Sequence, residues 1–328
     1  MTGKDLRIVF MGTPEFAVPS LERLVKDGYN VVGVVTTPDR AQGRGLHFTQ
    51  CDVRVAAERL GIHTILQPEK LKDELFVEQF RELNADMGIV IAFRMLPQII
   101  WAMPKYGTFN LHASLLPQYR GAAPINWAII NGEKYTGLTT FLLNAQIDKG
   151  AIIEQKRVEI LPEDNIGSLY DRLMNLGPDL VISTVEKIAS GNFEALEQPE
   201  DESGLKPAPK IFKDDCRVDF SWSGERIINF VRGLSPYPAA WAEILRNGTP
   251  YSTIKIFEAE FRPSESTSPV GSMHTDSKSY LAVKCADGYI YLHDVQLSGK
   301  KRMSVHDLLL GLRDAEELSV QTKIIRNI

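Results

Sequence analysis

The feature that most narrows the fold is an alternation over residues 6–113. Short apolar runs take turns with segments of helical periodicity. Residues 6–10 (LRIVF), 30–37 (NVVGVVTT), 62–67 (IHTILQ), 85–93 (ADMGIVIAF) and 107–113 (GTFNLHA) read as strands. Between them, a segment closing at 56–61 (AAERLG) and residues 70–84 read as helices. In the second, Leu71, Leu75, Phe76, Phe80 and Leu83 fall on one face. Thr13 is expected to cap the first helix, with Pro14 at its first position and Glu15 in its first turn. Strands alternating with helices imply an α/β fold with a mostly parallel, doubly wound sheet. Such sheets bind ligands outside the carboxyl ends of their strands. Residues 93–96 and 110–117 both fall at such ends.

Residues 165–190 read as one long amphipathic helix, with Ile166, Leu169, Leu173, Leu176 and Leu180 at helical spacing. The polar stretch 197–210 (EQPEDESGLKPAPK) breaks the periodicity, and its Pro, Gly and Ser read as a linker. Beyond it, short alternating runs flank Asp287-Gly288, a hairpin signal in what reads as a small β-barrel. The expected division is a catalytic domain over 1–196, a linker over 197–210 and a C-terminal β-barrel domain over 211–328.

At 328 residues and 44% hydrophobic, the chain can bury a large core without disulfide or metal staples. Its three cysteines are odd in number and far apart, as expected of reduced thiols in a cytoplasmic protein. No apolar run reaches the length of a membrane span, and the first residues lack a signal-peptide pattern. No zinc or calcium ligand spacing appears, so no metal is expected. The net charge of −5 argues weakly against a nucleic-acid partner. The acidic excess lies within 1–210, however, and the remainder is neutral, which permits a polyanion near the second half.

The chemistry concentrates in FNLHASLLPQYRGAAPI, residues 109–125. Along a strand, alternate residues share a face, so Asn110 and His112 point the same way, and Ser114 extends that register. An amide can donate to a developing oxyanion, and an imidazole can donate to the same oxygen or move a proton near neutral pH. Pro117 stops the ladder and turns the chain out of the sheet. Asp148, in LNAQIDKGAII (143–153), offers a carboxylate that could orient the imidazole, and equally fits a turn before Lys149-Gly150. A serine hydrolase built on Ser114 would lack the G-x-S-x-G elbow. A dinucleotide oxidoreductase would need G-x-G-x-x-G after the first strand, where only Gly12 stands. The G-R-G at 43–45 comes after the second strand and does not supply it.

Asn110, His112 and Ser114-Leu115-Leu116-Pro117 form N-x-H-x-S-L-L-P, and Asp148 stands in I-D-K-G. Together with FMGTPEF, TPDRAQGRG, SLLPQYRGAAPI, APKIFKDDCRVDF and RGLSPYPAAW, these make the chain resemble the folate-dependent formyltransferases along nearly its whole length. The likeness is greatest to the branch acting on charged tRNA. The resemblance implies a Rossmann-like catalytic domain followed by an OB-like barrel. It implies 10-formyltetrahydrofolate as donor and the amine of initiator methionyl-tRNA as acceptor, joined by direct attack with no covalent enzyme intermediate.

The same resemblance implies roles for individual residues. Asn110 and His112 would stabilise the tetrahedral oxyanion, while Asp148 would orient His112 and help the amine lose its proton. Backbone groups of Phe93, Arg94, Met95 and Leu96 would hold the pterin ring, and Ser114, Leu115, Leu116 and Pro117 would line the folate site. Arg44, between two glycines, would enter the acceptor stem, and Lys206, Lys210 and Lys213 would meet tRNA phosphates. Where the family pattern has lysines after G-R-G, this chain has Leu46-His47-Phe48, which offers Phe48 as a group that packs or stacks. A cytoplasmic monomer without metal is the implied enzyme. The alternative acceptor is a sugar-nucleotide amine. A non-catalytic RNA-binding protein is a third reading, against which the intact Asn110, His112 and Asp148 argue.

Overall fold

The computed structural model describes residues 1–42, 47–312 and 317–322. The chain divides into two compact units. The first comprises Met1–Pro124, Tyr135–Glu159 and Tyr170–Ala208; the second comprises Ile125–Lys134, Ile160–Leu169 and Pro209–Ile328. The stretch read from sequence as a linker therefore belongs, through Ala208, to the first unit. The reason is backbone pairing: the Tyr119 N–H donates to the Lys206 carbonyl, and the Ala208 N–H to the Arg120 carbonyl. Main-chain groups that find partners in this way are no longer free to act as a tether.

In chain order the first elements are β1 (Arg7–Gly12), α1 (Val18–Lys26), β2 (Asn30–Val35), the short strands β3 (Arg40–Gln42) and β4 (His47–Thr49), and α2 (Asp52–Arg59). There follow β5 (Ile65–Leu66), α3 (Glu74–Glu82), β6 (Met87–Ile91), α4 (Gln98–Trp101) and β7 (Thr108–His112). Then come α5 (Pro124–Ile130), β8 (Tyr135–Leu142), β9 (Ile152–Glu159) and α6 (Ile166–Ser190). The main sheet runs β5-β2-β1-β6-β7-β8-β9. It is parallel as far as β7 and antiparallel at β8 and β9. The near-continuous apolar runs of β1 and β6 suit strands covered on both faces. The alternation in β9 suits a strand with one wet face.

One face of the sheet packs Val9, Met11 and Val90 against Phe76 and Phe80 of α3. Asp73 caps α3, its side chain accepting from the Leu75 and Phe76 N–H groups. Leu75 departs from the face assigned to it by spacing: in the first turn of α3 it is an exposed residue. At β7, Gly177 of α6 lies so close to Leu111 that a Cβ there would stand 3.0 Å from Leu111 Cδ2. Leu111 thus faces α6, and by strand alternation Asn110 and His112 point away from it.

The cap assigned to Thr13 is not observed. Pro14, in extended conformation, precedes a 3-10 turn over Glu15–Ala17, and α1 begins only at Val18. The chain runs from β1 to β2 on one side of β1 and later returns as β6 on its other side. That reversal places a crevice between the carboxyl ends of β1 and β6, where Gly12 pairs with Ile91.

The second unit holds α7 (Gly224–Leu234), β10 (Ala240–Arg246), β11 (Thr249–Pro263), β12 (Met273–Thr275), β13 (Leu281–Lys284), β14 (Gly288–Leu297), β15 (Met303–Ser304), α8 (Val305–Gly311) and β16 (Leu318–Val320). Its antiparallel sheet runs β12-β13-β14-β11-β10-β16. A bridge between Ser272 and Ser319 and a Val320 N–H to Gly271 carbonyl bond draw the two ends together. The sheet is thereby almost closed into a barrel, which shortens its open edges. Asp287-Gly288 does lie at the β13–β14 turn, as its spacing suggested. Ile227, Phe230 and Val231 of α7 join Ile254, Ile256 and Ile290 in the core. Among the described residues, no helix is long and apolar enough to cross a membrane.

Candidate active site

β7 is paired on both sides: Asn110 lies beside Val90 of β6 and Phe141 of β8. Its backbone is therefore fixed, and the direction of its side chain follows. The Asn110 Oδ1 is buried, with no hydrogen-bond partner among the described residues. A buried acceptor left unpaired costs about 1–3 kcal/mol. Native proteins seldom tolerate that cost without a functional reason.

His112 is buried, and its Nε2 lies 2.9 Å from the Tyr119 carbonyl oxygen. A carbonyl only accepts, so Nε2 must carry the proton and donate. The neutral ring then presents Nδ1 as its basic atom. Phe141 stands edge-on to the imidazole at 6.5 Å between ring centres. An unengaged amide and a singly engaged imidazole on one strand face can stabilise an oxyanion and move a proton.

The turn after β7 is held by its own polar groups. Ser114 Oγ is buried and donates to the Gln118 carbonyl at 2.7 Å. This leaves a serine-hydrolase mechanism without its nucleophile. Thr139 of β8 stands opposite His112 in the ladder. Its hydroxyl donates to the Ser114 carbonyl at 2.6 Å and accepts from the Leu116 N–H at 3.1 Å. Gln155 Nε2 donates to the Leu116 carbonyl at 2.8 Å and to Thr139 Oγ1 at 2.9 Å. Leu116 packs with Phe141 and Ile152, and the peptide bond to Pro117 is cis. Leu115 and Pro117 are half-buried. Thr139 and Gln155 were not singled out from sequence. The only hint was a pair of threonines inside an apolar run.

Asp148 lies in the loop between β8 and β9, in the left-handed region at φ 54°. Its Oδ2 accepts from the Gly121 N–H at 3.0 Å. His112 and Asp148 therefore meet not each other but the same short segment, 119–121: one binds the Tyr119 carbonyl, the other the Gly121 N–H. Gly121 is required there. Its φ is 128°, and a Cβ would stand 2.4 Å from the Ala208 carbonyl oxygen.

At the carboxyl end of β6, the Arg94 guanidinium donates to the carbonyls of Glu69 and Pro68 and lies 5.6 Å from the Phe93 ring. Leu96 is taken up by the core, whereas Met95 is 75% exposed. The strand end thus offers main chain and the Met95 thioether to a ligand. Arg44 lies outside the described residues. Lys206, Lys210 and Lys213 are exposed. Lys206 also works through its main chain: its N–H donates to Gln118 Oε1 at 2.8 Å. Lys210 Nζ sits 5.3 Å from the Phe212 ring, and the Lys213 carbonyl accepts from the Trp241 indole.

A doubly wound sheet that ends one strand in Asn-x-His brings an amide and an imidazole to one strand end, beside a serine whose hydroxyl is taken up by its own turn. The chain belongs to the formyltransferase family: the family pattern described as "Formyl transferase" matches residues 6–185, and "Formyl transferase, C-terminal domain" matches 210–313. The methionyl-tRNA formyltransferase of Parabacteroides distasonis is 52% identical over 98% of this chain and 100% of its own. That of Bacteroides fragilis is 50% identical over 98% and 99%. Among solved structures, the sugar 3N-formyl transferase WlaRD aligns over 90% of this chain and 99% of its own, with a TM-score of 0.61 and 19% identity. HypX from Aquifex aeolicus in complex with tetrahydrofolic acid aligns over 93% and 47%, with a TM-score of 0.59 and 18% identity. At those identities the structural likeness concerns the fold.

Proposed function

We propose that this chain transfers the formyl group of 10-formyltetrahydrofolate to the amino group of initiator methionyl-tRNA. The observation that carries this reading is the half-identity, end to end in both chains, with relatives named methionyl-tRNA formyltransferase.

The amine nitrogen attacks the formyl carbon, a carbon–nitrogen bond forms, and the carbonyl electrons move onto oxygen. The Asn110 amide donates to that oxygen, and His112, once its Nδ1 has taken up the amine's proton, donates to it from the same atom. Each oxyanion donor of this kind is worth roughly 10²–10³ in turnover. Collapse of the tetrahedral species breaks the bond to N10 of the folate. The amine's proton passes through the Asp148–His112 region to N10, so no group on the protein is left modified. The turn 114–117 and the strand end 93–96 hold the folate. Arg44, Lys206, Lys210 and Lys213 meet the tRNA backbone. The enzyme acts as a cytoplasmic monomer, and no step calls for a metal.

The test offers 10-formyltetrahydrofolate with charged initiator methionyl-tRNA and, in parallel, with a UDP-amino sugar. Transfer to the tRNA, lost in His112→Ala, is expected. Transfer to the sugar alone would keep the chemistry of β7 and overturn the acceptor.

A further inference from the structure

The loops that carry the two sides of the site are joined by one side chain on the segment after Leu196. Gln198 Nε2 donates to the Asp148 carbonyl at 2.9 Å and to the Gly150 carbonyl at 2.8 Å. Its Oε1 accepts from Arg120 Nη2 at 2.7 Å and from Nε at 3.2 Å. A guanidinium only donates and a carbonyl only accepts, so the amide can face only one way. All four of its hydrogen-bonding positions are filled.

The neighbours tighten the same joint. Arg120, with its side chain 12% exposed, donates through Nη1 to Glu202 Oε1 at 2.8 Å, and Lys149 Nζ reaches the same oxygen at 2.5 Å. Lys149, then Arg120, hold the Glu202 carboxyl below its usual range. The Lys206 carbonyl receives the Tyr119 N–H, and Tyr119 in turn receives His112. Residues 198–206 thus bind the loop of Asp148 and the segment 119–121 in one frame.

We infer that Gln198 is a positioning residue for catalysis: it sets Asp148 against the segment that holds His112, and Arg120 aims it. The inference rests on the formyl-transfer reading and deepens it. A misplacement of about 1 Å at a reacting group costs on the order of 10²-fold in rate.

Two variants of the full chain test this. Gln198→Met keeps the size and loses all four hydrogen bonds. Gln198→Glu keeps the acceptor for Arg120 but sets a carboxylate against two carbonyls. The expected result is a kcat lower by about tenfold in the first and about 10²-fold in the second. KM for both substrates stays within about twofold, and the Nε2–H resonance of His112 moves in both variants. An unchanged kcat would overturn the inference, as would a loss fully matched by a fall in folded protein or a His112 resonance identical to wild type. If the wild type formylates only the amino sugar, the acceptor assignment fails, and the kcat comparison on that acceptor still decides Gln198. If the wild type formylates neither, the formyl-transfer reading fails, and the His112 resonance alone decides whether Gln198 controls the geometry.

Discussion

At the scale of single residues, Asn110 combines a place at the end of β7 with a buried Oδ1 that has no partner among the described residues. A side chain kept for packing would be cheaper as an apolar isostere, so an amide at this position fits the ligand-facing role proposed for it. Asn110→Ala should lower kcat by roughly 10²–10³. Relief of an unpaired acceptor should leave thermal stability close to wild type, and a melting curve beside the kinetics would separate the two effects. A turnover equal to wild type would remove Asn110 from the mechanism. Cys216 makes a different residue-scale prediction. Burial, with the Asp215 charge second, pushes its thiol from the ordinary 9.0 up to about 11. Between those values the unfolded chain releases the proton while the folded chain keeps it, so stability falls as pH rises. Burial raises the Cys285 thiol as well, in the same direction. Urea midpoints should therefore drop from pH 8 to pH 10.5, with a shallower drop in Cys216→Ala. Equal slopes would mean that Cys216 is not coupled to folding.

At the scale of elements, Thr139 shows how one strand supports a turn on its neighbour. Its hydroxyl satisfies the Ser114 carbonyl and the Leu116 N–H. Thr139→Val keeps the shape and strands both groups, at about 1–3 kcal/mol for each buried one. Because that turn is assigned to the folate, KM for 10-formyltetrahydrofolate should rise several-fold while KM for the acceptor barely changes. Equal changes in both would argue for general loosening.

The same elements show what could be read in advance. The alternation over 6–113 announced the parallel sheet because β1, β2, β6 and β7 are long, apolar and bounded by turns. β5 spans only Ile65–Leu66, so its bounds could not be read from periodicity. The run 197–210 was misleading for a physical reason. Pro, Gly and Ser mark an absence of helix or strand periodicity, but they do not forbid main-chain pairing with a distant loop, as Lys206 pairs with Tyr119 and Ala208 with Arg120. Gln198 and Arg120 were therefore invisible as partners, although both lay in plain view. Asp148 could be offered from sequence as a carboxylate for the imidazole, but it fitted a turn equally well, and spacing could not bring it to the segment that holds His112; only the family likeness singled it out.

At the scale of the whole molecule, the proposed acceptor is a polyanion and the chain carries a net charge of −5. Uniform attraction is therefore not available, and binding must rest on local cations against a repulsive background. The candidates are Arg44, Lys206, Lys210 and Lys213, and the last three are exposed. Cations that meet phosphates release counterions, so binding weakens with salt in proportion to their number. The logarithm of KM for methionyl-tRNA should rise with the logarithm of salt concentration, and each phosphate contact should contribute about 0.7–0.9 to that slope. Replacing Lys210 and Lys213 together by alanine should lower the slope by about 1.4–1.8 if both meet phosphate. KM for the folate donor, a small ligand whose proposed place is the ends of β6 and β7, should keep its salt response in that double variant. A tRNA slope that does not move would assign both lysines to the solvated surface and shift the search for the tRNA contact to other basic groups. A slope that falls for the tRNA alone would place the second unit on the acceptor and leave the chemistry with β7 and its two loops.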